Sequence, residues 1–125
     1  LVIDIAGEAS VQMTMQEMAT AMQYELPIKV FILNNERMGM VRQWQVLLHG
    51  GRYAHSYSES LPDFVKLAEA FGGKGIRCSD PAKLDDAIAE MLAYGEVDVT
   101  EVRAWLVRLV GADDRRVARW DEANA

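Results

Sequence analysis

Two short apolar runs, Leu1–Ile5 and Ile28–Leu33, stand one helix's length apart, and this spacing constrains the fold more than any other feature of the chain. Each run is bounded by turn residues, Gly7 after the first and Asn34-Asn35 after the second, as expected of strands buried in a parallel sheet. Between them, Thr14 and Glu17 form a capping-box pattern that predicts a helix with Met15, Met18, Ala19 and Met22 on one face. Methionine is a flexible filler, so the cluster reads as core. Leu26-Pro27 ends that helix. A second helix is predicted from Gly39 to about Leu48, with Met40, Trp44 and Leu47 on one side. A third starts at Ser60-Leu61-Pro62-Asp63, Pro62 at its first position, and carries Phe64, Leu67, Ala68 and Phe71. Gly75–Cys78 is a short strand. Asp80-Pro81 opens a last helix with Leu84, Ala87, Ile88, Met91 and Leu92 facing inward. Strands alternating with helices give right-handed parallel βαβ units, so the expected class is α/β, an open parallel sheet flanked by helices.

The 125 residues suffice for one core, and half of them being hydrophobic is ordinary for a globular domain. A net charge of −6 without a dense Lys/Arg run argues against a nucleic-acid surface. No run approaches a membrane span. The single cysteine, Cys78, excludes an internal disulfide and fits a reducing, cytoplasmic setting. The chain opens inside a strand with no initiator Met, as expected of a fragment.

In an open α/β sheet, ligands sit beyond the carboxyl ends of the strands. Two such ends are polar here, Gly7-Glu8-Ala9-Ser10 and Asn34-Asn35. If the two strands are neighbours, Glu8 and Asn35 point into one crevice. A carboxylate, an amide oxygen and a backbone carbonyl are hard oxygen ligands, suited to Mg²⁺ or Ca²⁺. Ser10 lies just before a helix N-terminus, which favours anions, and Gly39 permits close backbone approach. Singly, each loop is an ordinary turn. Their separation of 27 residues, about one βαβ unit, supports a metal-bridged diphosphate site between two strand ends.

At these residues the sequence resembles a family. Gly7 through Asn35 is similar to the thiamine-diphosphate motif, which begins Gly-Asp-Gly or Gly-Asp-Ala and ends Asn-Asn. The runs QEMATAMQYELPIKVFILNNERMGMVRQWQ and RYAHSYSESLPDFVKLAEAFGGKGIR resemble the large catalytic subunit of acetolactate synthases, over Leu1 to about Tyr94. Gly39–Gln45 is the most specific part. The resemblance implies thiamine diphosphate and Mg²⁺ as cofactors, with FAD, where the complete enzyme carries it, bound outside this segment. It implies Glu8, Asn35 and the carbonyl of Arg37 as metal ligands, and Gly7, Ala9, Ser10, Gly39 and Met40 beside the cofactor. Met13 and Trp44 would line the substrate channel; read by itself, Trp44 is a core anchor of its helix. The implied reaction decarboxylates pyruvate and joins it to a second 2-keto acid, pyruvate or 2-ketobutyrate, giving 2-acetolactate or 2-aceto-2-hydroxybutyrate in branched-chain amino-acid biosynthesis. No catalytic residue lies in these 125 residues; the family's catalytic glutamate belongs to another domain of a partner subunit, so the chain alone is expected to be inactive. A homodimer or tetramer with the active site between subunits is implied, with a regulatory small subunit as a further partner.

Two departures stand out. Glu8 replaces the family's aspartate, and the extra methylene matters to a metal that demands tight octahedral geometry. After Gly95 the family pattern is lost, so residues 1–94 are expected to be the cofactor domain and 95–125 a divergent tail, helical or poorly ordered, with Val102, Leu106, Leu109 and Val110 at helical spacing. A shifted reading frame would produce such a tail. His49 and His55, six residues apart without a third ligand nearby, make a poor zinc site. The competing readings are another pyruvate-using thiamine enzyme of the glyoxylate carboligase or pyruvate oxidase type, and a degenerate domain that has lost its cofactor.

Overall fold

The structure, a computed structural model, describes residues 1–95 and 98–102. Four parallel strands form one sheet: β1 (Val2–Gly7), β2 (Ile28–Leu33), β3 (Lys74–Cys78) and β4 (Asp98–Val102), in the order β1-β2-β4-β3. The helices are α1 (Glu8–Thr14), α2 (Glu17–Gln23), α3 (Gly39–His49), α4 (Phe64–Ala70) and α5 (Leu84–Ala93), the last preceded by a 3₁₀ turn over Pro81–Lys83. Because every strand runs the same way, all four carboxyl ends meet at one edge, where Gly7 is level with Leu33, and Leu33 and Cys78 are each level with Val102. Among the described residues no helix is long and apolar enough to cross a membrane.

Helices cover both faces. On one, Ile32 and Val99 pack with Val11 of α1, Met18 of α2, and Phe64 and Ala68 of α4. On the other, Ile76 and Cys78 pack with Ala87 and Met91 of α5, joined by Phe31, Leu84 and Ile88. The α/β expectation therefore holds. Lys29, an unusual residue for an inner strand, is buried at the amino end of β2, where its ammonium donates to the Tyr94 carbonyl at 2.6 Å. Nearby, burial pushes the Asp98 carboxyl up, against the Thr100 hydroxyl and the charges of Lys29 and Lys74.

Several expectations need correction. Thr14 does not cap a helix: it ends α1 and its hydroxyl donates back to the Ser10 carbonyl at 3.3 Å. A cap requires a non-helical backbone, whereas Met15 and Gln16 both stay right-handed helical, so α1 and α2 follow each other with only a kink. Met18 and Ala21 face the core there, while Met15 and Ala19 are exposed. Residues 8–10 are not a turn but the first turn of α1, with Gly7 extended ahead of them.

The first strand is not buried. Among the described residues β1 has a neighbour on one side only, and Val2, Ile3 and Ile5, with Leu1 before them, are exposed. Apolar pattern marks a strand; how many layers cover it is a separate matter. α4 starts at Phe64, two residues later than a start at Pro62, because Asp63 is the cap and accepts from the Val65 and Lys66 N–H groups. Leu92 of α5 faces outward.

Asp98–Val102, assigned on sequence to the divergent tail, forms the inner strand β4 between β2 and β3. The expected tail helix, apart from Val102, which ends β4, lies outside the described residues.

Candidate functional site

The carboxyl edge of the sheet brings the two polar strand ends together because β1 and β2 are direct neighbours. Glu8, placed in the first turn of α1, turns its side chain inward and is 1 % exposed. Its Oε2 accepts the Asn35 N–H at 3.3 Å. Its Oε1 is buried without a hydrogen-bond partner among the described residues. Burial pushes the Glu8 carboxyl above the ordinary glutamate value, and the nearby Glu36 charge adds to this. The N–H groups of Glu8, Asn35 and Arg37 pull the other way without cancelling it. A buried carboxylate with an open oxygen is an unusual and costly thing to keep, unless a cation joins it.

The loop after β2 is held by its own asparagines. Asn35 Oδ1 accepts the Arg37 N–H at 3.0 Å, and Asn34 Oδ1 accepts the Glu36 N–H at 3.1 Å. Both are Asx turns, the local bond that makes asparagine a turn residue. Within both turns Glu36 takes a left-handed backbone, φ 58°, which a residue with a Cβ adopts only under constraint. The chain from 56 to 58 fastens this loop from outside. Met38 N–H donates to the Ser56 carbonyl at 2.9 Å, Ser58 N–H to the Glu36 carbonyl at 3.0 Å, and the Arg37 guanidinium lies 4.7 Å from the Tyr57 ring centroid.

Asn34 is the residue that a reading of the sequence passes over. It is fully buried, and its Nδ2 donates to Glu101 Oε1 at 2.7 Å. Glu101 Oε2 in turn accepts Arg77 Nε at 3.0 Å, and Arg77 reaches Asp63 at 2.5 Å. The pattern that could have pointed to it is a pair of opposite charges in two strands, but their register depends on a strand order that the sequence does not disclose.

The other candidate residues lie as follows. Gly7 ends β1 as the extended residue before α1, and a Cβ there would meet only Ser10 Oγ, at 3.9 Å. Ala9 is half-buried and Ser10 exposed, both in the first turn of α1. Gly39 begins α3 with Asn35 Nδ2 4.0 Å from where its Cβ would be, so the two adjoin without crowding. Met13, Met40 and Trp44 are exposed and do not join Glu8 and Asn35 in one enclosed pocket; Trp44 is not a core anchor of its helix. The whole of α3 buries none of its residues against the described chain. His49 and His55 flank the turn after α3, where Gly50 takes the left-handed cap position, and among the described residues no group of three His, Cys, Asp or Glu is placed to hold a metal. A cation here would thus rely on one carboxylate and neutral oxygens. The unpartnered Glu8 oxygen beside Asn35 fits such a hard cation.

Comparison with known proteins shows the family. The family model described as "Thiamine pyrophosphate enzyme, C-terminal TPP binding domain" matches residues 1–102. The acetolactate synthase isozyme 3 large subunit of Escherichia coli is 50 % identical over 91 residues, 73 % of this chain and 16 % of that protein. An acetolactate synthase large subunit of Buchnera aphidicola is 52 % identical over 105 residues, 82 % of this chain and 18 % of that protein. Among solved structures, the thiamine diphosphate-dependent 4-hydroxybenzoylformate decarboxylase of Rhodococcus jostii RHA1 superposes with a TM-score of 0.74 at 28 % identity, over 82 % of this chain and 19 % of that one. The chain thus spans less than a fifth of the length of these relatives. It belongs to the thiamine pyrophosphate enzymes, as a member of their C-terminal cofactor-binding domain family.

Proposed function

We propose that this chain grips the diphosphate of thiamine diphosphate through Mg²⁺ as part of an acetolactate synthase. The observation that carries the proposal is the buried Glu8 carboxylate, with one oxygen on the Asn35 N–H and the other open. Glu8, the Asn35 amide oxygen and the Arg37 carbonyl are the three ligands this chain would offer, leaving the rest of the shell to phosphate oxygens and water. Gly7, Ala9 and Ser10 adjoin the diphosphate in this reading, and Gly39 and Met40 the cofactor's other side. When bound, thiamine diphosphate supplies the carbanion that adds to a 2-keto acid and accommodates the electrons released with CO₂. The chain's own part is positional: its two strand ends fix where that carbon sits. FAD, if the enzyme holds it, is bound by other segments.

The substrates in this reading are pyruvate and a second 2-keto acid, pyruvate or 2-ketobutyrate, and the similarity to acetolactate synthase large subunits supports them. Met13 and Trp44 face that substrate side. A homodimer or tetramer is part of the reading, supported by the exposed apolar side of α3, with Met40 at 67 %, Trp44 at 59 % and Leu47 at 69 %. So is a cytosolic location, in keeping with the unpaired Cys78. Incubating the protein, in its natural assembly, with pyruvate, Mg²⁺ and thiamine diphosphate is expected to yield acetolactate. Tartronate semialdehyde from glyoxylate, acetyl phosphate, or no cofactor-dependent turnover would contradict the proposal.

Glu8→Asp bears on the same site. Shortening the side chain draws the carboxylate back toward the geometry that Mg²⁺ takes with aspartate in this family. The Mg²⁺ concentration for half-maximal cofactor binding is expected to fall about threefold, less than the roughly 10- to 100-fold lost when an outer partner of a metal ligand is removed. An unchanged or higher value in a Mg²⁺ titration would count against Glu8 as ligand.

A further inference from the structure

We propose that Glu101 and Arg77, through Asn34, are positioning residues that set the shape of the cation-binding loop from inside the sheet. The inference rests on the Mg²⁺ reading above and names residues outside the motif that defines that site.

Glu101 belongs to β4, level with Ile32 of β2 on one side and with Arg77 of β3 on the other. Two residues beyond Ile32, on the same face of the sheet, lies Asn34. Glu101 is 1 % exposed and Asn34 fully buried, so neither can turn to water for its hydrogen bonds. A carboxylate accepts only, so the Glu101 oxygen selects the amide nitrogen of Asn34 and sends the amide oxygen the other way. That oxygen accepts the Glu36 N–H at 3.1 Å. Glu36 is the left-handed residue between Asn35 and Arg37, the two members of the loop that offer oxygen to the cation. Flipping the Asn34 amide would set its NH₂ against the Glu36 N–H, and the left-handed backbone would lose its tether.

Arg77 completes the chain. Its Nε donates to the second Glu101 oxygen at 3.0 Å, and its other end meets Asp63, the cap of α4. The Glu101 carboxylate is thereby fixed at both oxygens. The path runs from the partly exposed Asp63 cap of α4, through Arg77 of β3 and the buried Glu101 and Asn34 side chains, to the Glu36 N–H in the loop after β2. Outer partners of this kind typically change metal affinity by about 10- to 100-fold when removed.

The test uses the protein in its natural assembly and three variants: Glu101→Leu, Glu101→Gln and, as a control, Met91→Ala in the core on the other face. Thiamine diphosphate binding is measured by calorimetry across a Mg²⁺ series, and hydrogen exchange of residues 34–37 is followed without metal or cofactor. Glu101→Leu is expected to raise the half-saturating Mg²⁺ about tenfold and Glu101→Gln about threefold, both with faster exchange in 34–37. Met91→Ala lowers the melting temperature and leaves both readouts alone. If Glu101→Leu does not fold, Glu101→Gln decides. Wild-type Mg²⁺ dependence and wild-type exchange in the Glu101 variants, or equal changes in Met91→Ala, would overturn the inference. Failure of the unchanged protein to bind cofactor with Mg²⁺ would instead sink the Mg²⁺ reading, and the exchange measurement would still decide whether Glu101 holds the loop.

Discussion

Glu8→Gln separates stability from binding: the variant is expected to lose Mg²⁺-dependent thiamine diphosphate binding by roughly two orders of magnitude or more, while its unloaded form becomes more stable at neutral pH. The loss follows from Glu8 being the one carboxylate among the three proposed ligands. The gain follows from its burial. Inside the fold the Glu8 carboxyl titrates above its ordinary value of 4.5, so the folded state favours the protonated form. Its favourable contribution is fully present below pH 4.5 and is lost as the pH rises through the folded value. At pH 7 the ionised group is a burden that glutamine lacks. Thermal melting without metal at pH 7 and at pH 4 checks this: the variant's advantage is expected at pH 7 and should shrink toward pH 4. A variant less stable than the parent at pH 7, or one that still binds cofactor in a Mg²⁺-dependent way, would contradict the assignment.

Gly75→Ala is expected to destabilise the fold by about 3 kcal/mol, the upper end of what overpacking costs. The cause is a contact between elements. A Cβ at Gly75 would stand 2.6 Å from Val65 Cα, 2.7 Å from the Val65 carbonyl oxygen and 2.8 Å from Val65 Cγ1. Two of these atoms are backbone, so α4 itself must shift from β3. The shift would also carry Asp63 away from Arg77, which ties the packing of α4 to the hydrogen-bond path behind the loop. Denaturant unfolding measures the cost. A loss under about 0.5 kcal/mol would show that α4 slides easily, and that its seat on the sheet is not fixed by this glycine.

What the sequence disclosed and what it withheld have physical reasons. Ile28–Leu33 was legible because a mostly apolar run ending in turn residues has few other uses, and Gly75–Cys78 because it lies between the Gly72-Gly73 stop and the Asp80-Pro81 start of the next helix. The proximity of Glu8 to Asn35 followed from one assumption, that successive strands of a βαβ unit are neighbours, and β1 and β2 are. β4 was not legible. Its Asp98, Thr100 and Glu101 look like solvent-facing residues, and all three are buried, with hydrogen-bonding partners drawn from the loop after β2, from β3 or from β4 itself. Polar pattern reports exposure only where the fold supplies no buried partner. The break between α1 and α2 was hidden for a related reason. Thr14 and Glu17 carry the capping signature, but continuing the helical backbone through Met15 and Gln16 lets Met18 reach the core, and burial outweighed the cap.

The central claim is that one divalent cation is shared by the end of β1 and the loop after β2. Crystals of the assembled protein grown with thiamine diphosphate and Mn²⁺ in place of Mg²⁺ test it directly, by the metal's anomalous scattering. The expected peak lies within ligand distance of the Glu8 carboxylate, the Asn35 side-chain oxygen and the Arg37 carbonyl. A peak elsewhere, or a bound cofactor with Glu8 Oε1 still without a partner, would contradict it.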